Sequence, residues 1–244
     1  SRIQAVLFDQ LKTKPGEKVS NGGRNSKKPR VIVLAIGSER GLCGQFNRLV
    51  FESANQILEE MRQKGEQVEW WVLGKRLLRL FQIGNIQCAW NGSLSITSLP
   101  SYALAVRLSQ GWLKDFEAMR LDRVDVVYNG LDGGNRQTLI PLQMEPRPHR
   151  LDRGDEEWAQ PIIETDPRRL LQRTMEQMVI CQIYTCLLES AAAEHVARFR
   201  LMDEATQNAQ RLMEELQMEL LSAKRQMVTR EMQELAVGAG LLKR

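Results

Sequence analysis

Between residues 168 and 237 the chain has neither glycine nor proline, an uninterrupted run of 70 residues. Asp166-Pro167 stands just before the run and Gly238 just after it. Aspartate accepts the first free N–H groups of a helix, proline suits its first position, and glycine is the usual stop. The punctuation predicts one helix, about 100 Å long at a rise of about 1.5 Å per residue. That is several times the diameter of a compact protein of this size. Such a helix cannot be buried in its own domain, so its apolar stripe must meet another helix or another protein.

The stripe is legible in the second half of the run. Met202, Ala205, Ala209, Leu212, Leu216, Leu220, Ala223 and Met227 follow steps of three and four, close to a coiled-coil seam. Alanines alternating with Leu and Met favour close, smooth packing. Residues 175–188 are apolar on most of the helix circumference. A helix greasy nearly all round is wrapped on several sides. The base of the rod is therefore expected to lie against a globular domain.

Composition narrows the class. At 244 residues, with 43% hydrophobic and 26% charged residues, the chain has room for one large domain plus an extension. No stretch approaches the roughly 18 apolar residues of a membrane span, so a membrane role would run through a partner. A net charge of +4 is too modest and too dispersed to point to nucleic acid. No secretory leader is recognisable, and Ser1 opens the chain without a methionine, as in a fragment or a processed product. Cys43, Cys88, Cys181 and Cys186 form no Cys-x-x-Cys pair, and with only His149 and His195 beside them a structural zinc site is not expected. Cys181 and Cys186 would point about 140° apart on a helix, so reduced, cytosol-facing thiols are the simplest reading.

Ahead of the rod, residues 1–12 read as the tail of a helix with Ile3, Val6 or Leu7, and Leu11 on one face. Residues 13–30 are rich in Lys, Gly, Asn, Ser and Pro, like a flexible link. Residues 31–160 alternate strand and helix patterns: strands at 30–36, 68–73, 86–90, 123–128 and 137–144, and helices at 45–64, 75–81 and 102–119. The first strand is a continuous apolar run of the buried parallel kind. The alternation predicts an α/β fold, a small Rossmann-like and mostly parallel sheet with right-handed crossovers. Residues 146–161, with Pro146, Pro148 and Pro161, read as a loop leading to the C-terminal helix assigned to residues 161–244.

Gly37-x-x-x-Gly41-x-x-Gly44 lies between a strand and a helix and invites a phosphate-binding reading. A P-loop needs Lys-Ser or Lys-Thr after its last glycine, but here Gln45-Phe46 follows. The dinucleotide spacing is also wrong, and Gly74-Lys75 occupies the place of the acidic ribose ligand. A tight structural turn is the better reading. Gly74-Lys75-Arg76 could hold an anion at a helix start, though a solvated start suits it better. His195 lies beside Glu194 and Arg198 with no nucleophile to serve, and the basic run at 27–30 reads as a solvated linker. No constellation for hydrolysis, metal chemistry or hydride transfer emerges, and no cofactor is expected. The residues describe a non-catalytic mechanical or interaction protein.

At this point a family pattern enters. Ser38-Glu39-Arg40-Gly41-Leu42-Cys43-Gly44-Gln45-Phe46-Asn47 resembles the Ser-Asp-Arg-Gly-Leu-Cys-Gly-x-x-Asn motif of the gamma subunits of F-type ATP synthases. Met202-Asp203-x-Ala205-Thr206-x-Asn208-Ala209, Leu212-x-x-Glu215-Leu216-Gln217 and Thr229-x-Glu231-Met232-x-Glu234-Leu235 resemble the C-terminal run of that subunit, as do the Gly238-Ala239 terminus, Leu187-Leu188-Glu189-Ser190 and Gly74-Lys75. The resemblance covers both ends of nearly the whole chain. It implies a rotor, or central stalk, turning inside a hexamer of alpha and beta subunits, with its foot on the epsilon subunit and the membrane c-ring. It further implies that ion flow is coupled to ATP synthesis or hydrolysis in the hexamer, which holds all nucleotide sites. Contacts with the hexamer are implied at Lys224, Arg225, Thr229 and Glu231, and a peripheral location on the cytoplasmic, matrix or stromal face of an energy-coupling membrane.

Two departures stand out. The family's N-terminal helix of some 50 residues pairs antiparallel with the C-terminal one, and residues 1–12 resemble only its last turns. The family's Asn-x-Ala-Arg-Gln run, whose Arg and Gln engage a beta subunit, stands here as Leu221-Ser222-Ala223-Lys224-Arg225. An ammonium and a guanidinium thus replace a guanidinium and an amide, and these are not equivalent donors. The alternative to the rotor is a free-standing α/β scaffold with a coiled-coil arm; a nucleotide-using enzyme is a distant third.

Overall fold

The computed structural model describes residues 29–142 and 166–239. The sequence readings for residues 1–12, most of the 13–30 link and the 146–161 loop lie outside them. The chain divides into two compact units, residues 1–197 and 198–244.

In the first unit, β1 (Arg30–Ile36), α1 (Phe46–Lys64), β2 (Gln67–Leu73), α2 (Lys75–Ile83), β3 (Cys88–Gly92), α3 (Tyr102–Glu117), β4 (Arg123–Gly130) and β5 (Gly133–Ile140) follow one another, and then α4 (Pro167–Gly238) begins. The sheet order is β3-β2-β1-β4-β5. β1 pairs in parallel with β2 and β4, and β2 in parallel with β3. β5 is antiparallel to β4, which makes the sheet mixed at one edge.

The continuous apolar run of β1 is explained by its central place: residues 31–36 are all buried, with helices on both faces. Val31, Val33 and Ala35 join Val72 and Val127 against Val50, Ala54, Ile57 and Met61 of α1 and Leu77 and Phe81 of α2. Ile32, Leu34 and Ile36 join Val124, Val126 and Tyr128 against Ala105, Leu108 and Trp112 of α3 and Val179, Ile180, Ile183 and Leu187 of α4. The period-two alternation of the strands sorts the two sets onto opposite faces.

β5 starts four residues earlier than its apolar pattern suggests and stops at Ile140, not Met144. Gly130 pairs with Gly133 across a two-residue Leu131-Asp132 loop, and Gly133 has φ of 117°. A hairpin this tight starts its second strand at once, whatever the polarity of Gly133-Gly134-Asn135-Arg136. Pro141 ends it, because proline has no N–H for the ladder. The hairpin carries a charge network built on one buried carboxylate. Asp125 is fully buried, and its two oxygens accept from Thr138 Oγ1 at 2.8 Å and Arg136 Nη2 at 2.9 Å. Arg136 Nη1 reaches Glu60 Oε2 of α1 at 2.8 Å.

α4 starts at Pro167 and runs for 72 residues to Gly238. Its base packs on the sheet by one buried stripe. Val179, Ile180, Ile183, Cys186, Leu187, Ser190 and Ala193 are buried, while Cys181 and Thr185 are exposed. Cover comes from more than one element: beside the sheet, α3 meets the helix through the Tyr102–Tyr184 ring pair and the Gln177–Tyr102 hydrogen bond, while Met178 and Leu188 stay only half-buried. In the second unit, helical through Gly238, every residue from 202 to 235 is exposed.

Candidate interaction surface

The glycine turn explains itself once its bonds are traced. Ser38, fully buried, donates its N–H to Asn47 Oδ1 at 2.9 Å and its hydroxyl to the Arg40 carbonyl at 2.7 Å. Asn47 Nδ2 donates to Ser38 Oγ at 2.8 Å and to Cys43 Sγ at 3.3 Å. Both amide hydrogens and the hydroxyl hydrogen are used within the turn, so these groups have none left for a phosphate. Leu42 and Gly44 take left-handed φ values of 61° and 55°, which folds the chain back on itself. Glu39 Oε1 accepts the Leu94 N–H at 2.6 Å, and the Ser38 carbonyl accepts the Arg76 N–H at 3.0 Å.

Close approach of backbones accounts for two more glycines. A Cβ on Gly37 would stand 2.3 Å from Leu77 Cβ, and one on Gly74 would stand 2.6 Å from the Gly37 carbonyl oxygen. The start of α1 sits at the switch point of the strand order, between β1 and β4, where open α/β sheets usually leave a ligand crevice. Here Cys43 and Phe46 are buried against Ala193 of α4. The turn of Ser38, Glu39, Arg40, Gly41, Leu42, Cys43 and Gly44 therefore docks the base of the helix. Asn47, which carries most of that docking geometry, was legible only as the final Asn of the motif.

A polar pair lies on the other side of the sheet. Tyr128, 5% exposed on β4, donates its hydroxyl to Glu189 Oε2 of α4 at 2.5 Å. Burial, and then the bond to Glu189, push the Tyr128 hydroxyl well above its ordinary range. One turn away, Cys186 donates its thiol to Gln137 Oε1 of β5 at 3.3 Å, and burial pushes that thiol up to about 12. Composition and spacing held no signal for either contact.

In the second unit the seam residues Met202, Ala205, Ala209, Leu212, Leu216, Leu220, Ala223 and Met227 are all exposed. The same spacing is present in the first unit at Thr174, Met178, Cys181, Thr185, Leu188 and Ala192, on the face that the sheet leaves uncovered. A shallow groove lined by Arg173, Thr174, Gln177, Met178 and Cys181 lies on that face. A second apolar line, missed by the seam template, runs through Leu221, Val228, Met232 and Leu235, exposed by 51%, 54%, 66% and 73%. At about 100° per residue it lies roughly a quarter to a third of a turn from the seam. The distal helix is thus apolar on two faces.

Lys224, Arg225, Thr229 and Glu231 are exposed but do not form one patch. Lys224 and Glu231 share one line of the helix; Arg225 and Thr229 share another, about 100° or more away. The Thr229 hydroxyl is bonded back to the Arg225 carbonyl at 2.8 Å. Among the described residues no group of His, Cys, Asp and Glu could hold a metal ion, and no helix is long and apolar enough to cross a membrane.

A family model described as ATP synthase matches residues 1–242. The chain is 32% identical over 220 residues to the ATP synthase gamma chain of Rubrobacter xylanophilus, covering 87% of this chain and 73% of that relative. It is 28% identical over 219 residues to the ATP synthase gamma chain of Nautilia profundicola, covering 88% of this chain and 73% of that one. In fold it is similar to a central-stalk chain of the Tetrahymena thermophila mitochondrial ATP synthase, with a TM-score of 0.54 at 15% identity over 84% of this chain and 86% of that one. A chain of the Euglena gracilis mitochondrial ATP synthase gives a TM-score of 0.51 at 13% identity over 98% and 86%. Sequence match along nearly its full length places the chain in the ATP synthase gamma-chain family.

Proposed function

We propose that this chain is the rotor shaft of an F-type ATP synthase and is itself non-catalytic. The observation that carries the reading is the second unit: a single helix with exposed apolar residues on two faces from Met202 to Leu235. Such a surface demands cover from partners. The cover is the central opening of an alpha and beta hexamer, and, along the seam, an antiparallel helix of the kind the family carries at its N-terminus. The asymmetric shaft holds each beta subunit in a different conformation, a population shift driven by differential contacts. The α/β unit takes the foot position, against the epsilon subunit and the c-ring, on the cytoplasmic, matrix or stromal face of the membrane. Nucleotide chemistry belongs to the hexamer; in keeping with this, the Ser38 hydroxyl and the Asn47 amide are engaged within the glycine turn, and Cys43 and Phe46 of the turn pack against Ala193.

Co-expression with the alpha, beta and epsilon subunits of the same organism tests this. A rotor is recovered in a complex with ATPase activity, whereas a free-standing scaffold comes down alone. Lys224 and Arg225 are proposed to grip polar or acidic loops of beta subunits as the shaft turns. Each charge-assisted contact is worth about 1.5–3 kcal/mol if desolvated and much less if wet. Changing both to Ala should lower coupled turnover of the assembled enzyme several-fold and leave the melting temperature of the subunit unchanged. Wild-type turnover in that variant would remove these two residues from the contact.

A further inference from the structure

We propose that Tyr128 and Glu189 form a torsional key that sets the azimuth of α4 against the sheet and carries twist between them under load. The inference rests on the rotor reading, because only a loaded shaft needs such a key.

The base of α4 is held to the sheet by a stripe of Val179, Ile180, Ile183 and Leu187, with small buried residues at Cys186 and Ser190. Apolar contact is non-directional. A stripe finished in small, smooth residues resists separation from the sheet better than it resists rolling. Hydrogen bonds do fix direction, because they weaken steeply off axis. Tyr128 supplies a short bond of this kind from the sheet to α4, at 2.5 Å to Glu189 Oε2. Its ring is buried by the same cluster that holds Ile183 and Leu187, so the donor end cannot swing. Glu189 lies at the exposed margin of the stripe, where its lever arm about the helix axis is long. Cys186 and Gln137 add a second directional contact from the neighbouring strand. Burial keeps the tyrosine in its donating, protonated form.

The key should matter when torque passes between sheet and helix and should be silent when none does. The test uses the assembled enzyme carrying Tyr128→Phe, Glu189→Gln or Glu189→Ala in this subunit. Unloaded turnover is ATP hydrolysis by the detached catalytic head; loaded turnover is ATP-driven ion pumping in sealed vesicles. Tyr128→Phe is expected to leave unloaded hydrolysis within about twofold and to cut the ratio of pumping to hydrolysis several-fold. Glu189→Ala, a change at an exposed position that leaves the core intact, should do the same. Glu189→Gln keeps an oxygen that accepts from the tyrosine and should recover most of the ratio. An unchanged ratio in both Tyr128→Phe and Glu189→Ala would overturn the proposal, as would equal loss of loaded and unloaded turnover or failure of Glu189→Gln to recover. Failure of the rotor reading would show separately, in an unsubstituted chain that does not assemble with alpha and beta subunits.

Discussion

Along the single helix α4, residues 179–193 and residues 202–235 carry comparable apolar patterns and meet opposite surroundings. In the first stretch Ile183 and Cys186 are fully buried and Leu187 is 1% exposed. In the second, Met202 at 40% is the least exposed large apolar residue. Periodicity therefore tells where a helix wants cover, and it does not tell whether its own chain supplies that cover. The first stretch is part of the chain's own core; the second is exposed throughout and is the surface proposed for a partner.

Substitutions should separate the two stretches sharply. Ile183→Ala opens a cavity beneath the sheet and should cost about 2–5 kcal/mol in urea unfolding of the isolated chain. Leu216→Ala, on the exposed seam, should stay within about 0.5 kcal/mol in the same assay, and alanine slightly favours the helix. In the assembled complex the order should narrow, with Leu216→Ala weakening subunit retention. A loss of several kcal/mol from Leu216→Ala in the free chain would mean that the seam is already covered there.

Gly37→Ala should cost about 1–3 kcal/mol, because its Cβ would stand 2.3 Å from Leu77 Cβ and the backbone would have to shift. Gly111→Ala, where an added Cβ meets nothing within 4 Å, is the internal control and should be neutral or mildly stabilising. Equal melting temperatures for the two variants would contradict the close approach at Gly37.

The cysteines give the smallest effect and a pH signature. Cys181 is exposed and Cys186 is buried five residues along the same helix. A maleimide at neutral pH should label Cys181 at once and Cys186 only through opening of the α4 base. The folded Cys186 thiol titrates at about 12, above its ordinary 9.0. The unfolded chain thus loses this proton first, so the contribution is complete below pH 9 and fades as pH rises from there towards 12. Comparable labelling of the two cysteines would show that this base is loosely packed.

How much of this was legible in the sequence varied with the physics of each element. β1 was legible to the residue, because a strand covered on both faces must be apolar throughout. The length of α4 was legible from the absence of glycine and proline and the residues that bracket them. β5 was displaced, since its start is dictated by a hairpin and its leading residues are polar and exposed. The seam was read as one line, whereas Leu221, Val228, Met232 and Leu235 repeat at steps of seven, four and three on another face. Tyr128 and Glu189 lie 61 residues apart, and only the folded chain brings them together.

Amide hydrogen exchange across residues 202–235, in the free chain and in the chain assembled with its alpha and beta subunits, tests most directly whether this stretch is a surface completed by partners. Exchange should be fast in the free chain and slow strongly on assembly, while residues 179–193 stay protected in both states. Equal exchange of residues 202–235 in the two states would contradict it.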